Sequence, residues 1–227
     1  MKFSKFFKYS VVLLFVVTLS ISCKKDNDDP DLGLKDRGSV SMTVDGKKMN
    51  FKFTSMMTGY DEAIEDGDDE FDVIMTGTNV DLGVNGDVSS SESIVISLTL
   101  PVSKFKDPKG TYDIGYGDNH PVQIVFFKNM EQGADGLIAY ASDEFDDHKK
   151  VRGKFTVTGF KIGKQTYGVY GGGEDFGEGY TELKGNFQVT LHKAIQYNTE
   201  AQVPETLEIN ASAFTFRLFS LFDLPFL

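Results

Sequence analysis

A twelve-residue segment near the middle of the chain has the residue types and spacing of a calcium-binding loop. It begins at Asp81, places a glycine at the sixth position and ends on a glutamate. Such loops surround Ca²⁺ with hard oxygen ligands around a tight turn, and the final glutamate binds through both oxygens. The ligands predicted from this pattern are Asp81, Asn85, Asp87 through its backbone carbonyl, Ser89 through a water, and Glu92.

The same segment also fits an ordinary connection between two strands. Position 3 of the calcium pattern is Gly83, which supplies no side-chain ligand, and both flanks alternate as strands do. This second interpretation is favoured, so we expect no resident cofactor and keep calcium as the alternative. The acidic segment Asp61–Glu70 could attract cations only weakly, because nothing in it fixes a ligand geometry.

Other chemistries find little support in the sequence. The three histidines, His120, His148 and His192, lack metal-ligand spacing, and neither a nucleophile elbow nor a phosphate-binding loop occurs. The single cysteine excludes an internal disulfide. We therefore predict a protein that is not an enzyme. Five tyrosines could stack on sugars, although ordinary strand tyrosines are the favoured interpretation: Tyr112, Tyr116, Tyr167, Tyr170 and Tyr180.

The N-terminus has the architecture of an export signal. Three lysines precede the apolar run Val11–Leu19, which is too short to span a membrane, and small residues then lead to Cys23. This arrangement resembles a bacterial lipobox, with Ser22 before the cysteine and Leu19 one position further upstream than usual. The resemblance implies cleavage after residue 22 and attachment of lipid, palmitate included, to Cys23, which would hold the protein on a membrane.

Residues 23–37 are predicted to comprise a lipidated cysteine followed by a disordered acidic tether. The segment from Lys24 to Arg37 reaches about 20 Å as a flexible coil. Its lysines followed by acidic residues resemble the signal that directs Bacteroidota lipoproteins to the outer face of the outer membrane. The net charge of −11 predicts repulsion from nucleic acid, so we expect no nucleic-acid partner.

The rest of the chain alternates apolar and polar residues as half-buried strands do. Asp45-Gly46 stands between two such runs and predicts a hairpin. About ten strands with no convincing helix predict an all-β fold, a single antiparallel sandwich or barrel-like domain over residues 38–193. A turn is expected at Gly163-Lys164, and the acidic segment Asp61–Glu70 and the glycine-rich segment Gly171–Gly179 are expected to be surface loops.

The C-terminal residues 194–227 are unusually apolar. Phenylalanine and leucine crowd the last 14 residues, and Arg217, Asp223 and Pro225 interrupt them. One interpretation is a last strand and a segment packed on the domain; the other is an exposed patch for a partner or a membrane.

Four short pieces of the body occur in an order that resembles a group of Bacteroidota lipoproteins with all-β bodies. The pieces are Val44–Lys47, Gly110–Ile114, Val151–Phe155 and Leu183–Phe187. The resemblance covers roughly residues 39–191 and implies an all-β fold and an outer-membrane location, but no catalytic residues.

Together these patterns predict a surface-exposed outer-membrane lipoprotein whose body is a non-enzymatic interaction module or accessory subunit. Its expected contacts are the membrane, through lipid on Cys23, and an outer-membrane protein partner or a surface glycan. The alternative is a lipoprotein that binds a glycan or small nutrient with the help of calcium.

Overall fold

The computed structural model describes residues 38–51, 53–82, 88–115, 120–128, 137–142, 150–169, 172–197 and 203–217. Within these ranges the chain forms eleven strands and one helix, with a 3-10 turn at Val102–Lys104. The elements are β1 (Gly38–Val44), β2 (Lys47–Phe51), β3 (Phe53–Thr58), α1 (Tyr60–Asp66), β4 (Glu70–Leu82), β5 (Val88–Pro101), β6 (Gly110–Ile114), β7 (Val122–Lys128), β8 (Leu137–Ala141), β9 (Gly153–Val169), β10 (Gly172–Tyr197) and β11 (Thr206–Arg217).

The predicted all-β fold is confirmed, and its alternating residues form the core. The apolar positions of each strand collect into one buried cluster, while their neighbours face outward. The predicted hairpin at Asp45-Gly46 also forms. Both residues have positive φ, 46° and 78°, as a two-residue turn between twisted strands requires.

All eleven strands belong to one sheet whose two ends are joined by neighbouring strands. Its order is β2-β1-β11-β10-β9-β6-β7-β5-β4-β3, and β8 bridges β10 and β7. Since β2 and β3 follow one another in the chain, the sheet curls round to meet itself, giving the barrel-like arrangement. At the meeting point Gly77 on β4 lies against Ile94 and Phe51, since an added Cβ would lie 3.2 Å from Cγ2 of Ile94 and in ordinary contact, 3.5 Å, with Cβ of Phe51.

The hairpin of β9 and β10 corrects two predictions. No turn forms at Gly163-Lys164, because these residues pair with Gly179 and Glu178 inside the ladder. The glycine-rich segment predicted as a loop is instead largely strand, paired from Gly172 onward with β9. Glycine broke the alternation that marks a strand, yet its backbone groups pair as well as those of any other residue.

Two further segments differ from expectation. The acidic segment predicted as a loop contains α1, which ends at Gly67 with a left-handed φ of 73°. The predicted boundary at residue 193 does not separate an extension from the domain, because β10 continues to Tyr197 and β11 lies between β1 and β10. Residues 218–227 lie outside the described part of the chain.

Candidate functional site

Three of the predicted calcium ligands, Asp81, Ser89 and Glu92, belong to the paired strands β4 and β5. Asp81 is near the end of β4, where its backbone pairs with Ser90, and Glu92 pairs with Asn79 two positions further along β5. Strands therefore flank the segment, as the competing interpretation requires. Asn85 and Asp87 lie outside the described residues, as does Cys23, so the calcium loop and the lipid anchor stay predictions. Ser89 belongs to β5. Within the described ranges, no group of three or more acidic, histidine or cysteine side chains is arranged to hold a metal.

His120 packs against Gly115, whose carbonyl is bonded by a serine hydroxyl that makes two hydrogen bonds. Ser142 Oγ donates to the carbonyl of Gly115 at 2.9 Å and accepts from the amide of Ile124 at 3.0 Å. Because this serine is buried and holds two strands together, it has the contacts of a structural residue. Among the described residues, Nε2 of His120 is the one buried side-chain nitrogen or oxygen without a hydrogen-bond partner.

The most distinctive surface lies where α1 packs against β4 and β10. Tyr60, the first residue of α1, stacks on Phe105 with ring centroids 3.6 Å apart and planes inclined by 7°. Phe71 on β4 meets both rings edge-on, at 5.5 and 5.7 Å. Such contacts add to the burial of aromatic surface. We call Tyr60, Phe71, Phe105 and Tyr180 the aromatic base.

Tyr180 completes that base from β10. Its side chain is fully buried, and its hydroxyl donates to the carbonyl of Phe105 at 2.8 Å. Burial, with smaller contributions from Tyr112, Tyr60 and Asp107, raises the pKa of Tyr180 far above its ordinary value. A buried, hydrogen-bonded ring cannot stack on a sugar, so Tyr180 is removed from the candidate sugar-binding tyrosines.

Tyr112 is the other sequence-predicted tyrosine that the structure describes in detail. It is half-buried, and its hydroxyl donates to the carbonyl of Pro108 at 2.5 Å. Its pKa is raised by burial and by the charge of Asp107. The side chain thus ties its own connecting segment to β6. Tyr116 and Tyr170 lie outside the described residues.

A buried glutamine fixes β3 beside the hairpin of β9 and β10. The Gln165 side chain is fully buried; its amide nitrogen donates to the Thr58 carbonyl at 2.8 Å and its oxygen accepts from the Thr58 amide at 2.9 Å. The side chain therefore replaces the pair of bonds that a neighbouring strand would make. Thr58 Oγ1 in turn accepts from the amide of Tyr180 at 3.1 Å. Together these contacts hold Thr58, two residues before the start of α1.

α1 itself presents a charged and partly apolar surface. Ala63 faces the core, whereas Glu62, Glu65 and Asp66 are exposed. Ile64 between them is 50% exposed, and it is one of three large apolar side chains that are exposed in the described ranges. Asp61 holds the helix to β10, because its carboxylate accepts from the amide of Glu178 at 2.7 Å. The surface is therefore exposed but firmly positioned.

A second charged feature joins three strands and was missed at the sequence level. Glu182 on β10 has a nearly buried carboxylate, which Arg217 binds through Nε and Nη2 at 3.0 and 2.9 Å. Lys184 and Lys161 approach its other oxygen at 3.2 and 3.5 Å. Burial alone would raise the pKa of Glu182, but the Lys184 hydrogen bond and the three positive charges outweigh it and lower that pKa.

Comparison of the chain with protein-family models, with curated proteins and with solved structures found no match. In the part of the chain that the structure describes, no helix is long and apolar enough to cross a membrane.

Proposed function

We propose that this protein is a lipoprotein of the bacterial outer membrane whose β domain is a non-enzymatic interaction module. The observation that carries the proposal is the surface of α1: a half-exposed Ile64 surrounded by carboxylates, on a helix fixed by the aromatic base and by Gln165. An apolar side chain on a rigid support contributes more to binding than one on a mobile loop, because less conformational entropy is lost on association.

The charge of that surface indicates the kind of partner. Acidic side chains around an apolar centre favour a partner with lysines or arginines around an apolar pocket, since complementary charge speeds the encounter and rejects acidic competitors. We propose an outer-membrane or surface protein with such a basic patch. The buried polar side chains described above are engaged in closing the sheet, which supports a binding role over a catalytic one.

The lipid anchor is tested separately from the interaction. Cells expressing the protein are labelled with palmitate and then fractionated, and Cys23→Ser is compared with the natural chain. We expect label and outer-membrane sedimentation for the natural chain and neither for the variant. Equal labelling of both would overturn the anchor. Protease treatment of whole cells then reports whether the domain faces outward.

The interaction is tested by affinity purification of the tagged, lipidated protein from mildly solubilised outer membranes, followed by mass spectrometry. We expect a stoichiometric partner that is lost with Ile64→Lys and retained with Val151→Lys, a matched control because Val151 is 43% exposed elsewhere on the surface. Recovery of the protein alone would overturn the interaction module and direct attention to glycan and calcium binding.

A further inference from the structure

Two exposed lysines on the outer face of the sheet are directed at one carboxylate. Lys161 on β9 and Lys184 on β10 approach the same oxygen, Oε1 of Glu182, at 3.5 and 3.2 Å. The strand register brings them there, because Glu182 pairs with Lys161 and Lys184 lies two positions further along the same face of β10. We call Lys161 and Lys184 the lysine pair.

The charge of Glu182 is matched by Arg217, so the lysine pair is short of negative charge among the described residues. Nε and Nη2 of Arg217 bind the other carboxylate oxygen at 3.0 and 2.9 Å. Since both ammonium groups of the pair lie within 3.5 Å of the same oxygen, they are no more than about 7 Å apart and repel each other. A ligand with two negative charges would relieve this repulsion.

Two ion pairs elsewhere in the described domain match one cation to one carboxylate. Lys154, which is also on β9 and also exposed, is paired with Asp113, and Lys193 is paired with Glu205. Three cations around Glu182 therefore differ from the pattern at these two places. The overall charge does not account for them either, because the whole chain has a net charge of −11.

The lysine pair is open to solvent on the side away from Glu182. The side chain of Lys161 is 66% exposed and that of Lys184 is 47% exposed, whereas that of Glu182 is 5% exposed. Gly159 pairs with Lys184 and adds no side chain beside it; an added Cβ would have its nearest contact at 3.6 Å, with Cβ of Lys184. A ligand can therefore reach both ammonium groups, while the buried carboxylate fixes where they lie.

We propose that the lysine pair binds the phosphate group of a phosphate monoester. Such a group has a charge of about −1.5 to −2 at pH 7 and three acceptor oxygens. Each ammonium group has three N–H donors, of which one is needed for Glu182. A tetrahedral phosphate can accept from both ammonium groups at the usual charge-assisted distance of about 2.8 Å. The site is separate in function from α1, since α1 suits a basic protein partner and the lysine pair suits an anion.

Phosphorus NMR tests the binding, with glycerol phosphate as the soluble monoester and the full chain purified in a phosphate-free, non-ionic detergent. Broadening of the ligand resonance on titration gives the Kd. Lys161→Gln with Lys184→Gln removes both charges and leaves Arg217 on Glu182, so the affinity should fall about tenfold or more. Lys154→Gln is the matched control, because this lysine is 61% exposed on the same strand, and its Kd should stay within about twofold of the natural value.

Two further variants separate loss of the site from loss of the fold. Lys161→Arg with Lys184→Arg keeps both positive charges and should bind within about threefold of the natural chain, because a guanidinium also donates to phosphate. Gly159→Asp keeps both lysines but places a carboxylate beside Lys184, so it should weaken binding about fivefold or more. The far-UV circular dichroism spectrum should be the same for every variant.

Micelles that contain phosphatidic acid then identify the source of the phosphate. Displacement of glycerol phosphate at about a tenth of the concentration needed with free inorganic phosphate indicates a lipid headgroup, because the micelle concentrates the phosphate groups on one surface. Equal displacement indicates a soluble ester, and either result supports the proposal. Equal affinity of the natural chain and the double glutamine variant overturns it, as does a glycerol phosphate resonance that millimolar concentrations of the chain leave unbroadened.

Discussion

Replacement of Gln165 by alanine is expected to open the sheet where β3 meets the hairpin of β9 and β10. The side chain is fully buried and makes two hydrogen bonds of 2.8 and 2.9 Å to the backbone of one residue, Thr58. Alanine would leave a buried amide and a buried carbonyl without partners. Each unsatisfied group costs about 1–3 kcal/mol, so the free energy of unfolding should fall by about 2–5 kcal/mol.

The measurement is denaturant unfolding followed by circular dichroism, combined with hydrogen exchange of the Thr58 amide. Gln188→Ala on the exposed face of β10 is the matched control, expected to change stability by less than about 0.5 kcal/mol. Thr58 should exchange much faster in the Gln165 variant, because its amide loses its acceptor.

Gln165→Glu separates the two hydrogen bonds. An ionised carboxylate still accepts from the Thr58 amide, but it cannot donate to the Thr58 carbonyl and would repel it. Protonation of the introduced carboxylate restores a hydrogen-bond donor, so the free energy of unfolding of this variant should rise relative to that of the natural chain as the pH falls. A Gln165→Ala variant as stable as Gln188→Ala, with Thr58 still protected, would refute the idea that this side chain closes the sheet.

Three further perturbations test the packing and the charges. Gly185→Ala should lower the free energy of unfolding by about 3 kcal/mol or more, because the added methyl group would overlap backbone atoms. Gly159→Ala is the control: its methyl group would have its nearest contact at 3.6 Å, so its free energy of unfolding should stay within about 1 kcal/mol of the natural chain. Glu182→Gln should lower the free energy of unfolding by about 2 kcal/mol at pH 7, a figure that allows for the exposure of the lysines. Because folding lowers the pKa of Glu182, its ionised carboxylate stabilises the fold above the ordinary pKa of 4.5. Unfolding measured across acid pH should show this stabilisation disappear as the pH falls through the pKa of the folded state. Tyr60→Ala removes the ring stacked on Phe105 and should lower stability by about 2 kcal/mol, with faster amide exchange throughout α1, while Tyr60→Phe should change little.

The strands could be predicted because alternation is a local property of the sequence. Val40, Met42 and Val44 face the core at every second position, and Asp45-Gly46 specifies the turn that follows. Alternation of apolar and polar side chains did not predict the hairpin of β9 and β10, because its glycines have no side chain that could show which face of the sheet is buried. Pairing there depends on backbone groups, which the side-chain pattern does not report.

The helix was missed for a related reason. Seven carboxylates in ten residues indicate a solvated loop, and only Ala63 of α1 is buried. Its stability comes from contacts that are distant in sequence, above all the stacking of Tyr60 on Phe105. A helix of seven residues is too short to form from its own propensity, so tertiary packing decides its existence.

The charged cluster at Glu182 shows the same limit for a surface feature. No run of basic residues predicts it, because Lys161, Lys184 and Arg217 belong to three different strands that become neighbours only in the sheet. The calcium pattern shows the converse: a linear spacing fits a known loop, but strands flank it where helices would be needed.

Three buried polar side chains of the described fold hold distant segments of the sheet together. Gln165, Ser142 and Tyr180 each bond to backbone of a distant segment, so their hydrogen-bonding capacity is used to hold a curled sheet closed. A catalytic group needs the reverse, since part of that capacity must stay available for substrate. The proposed interaction rests on α1, where Ile64 lies among carboxylates on a helix that Gln165 and the aromatic base hold in position.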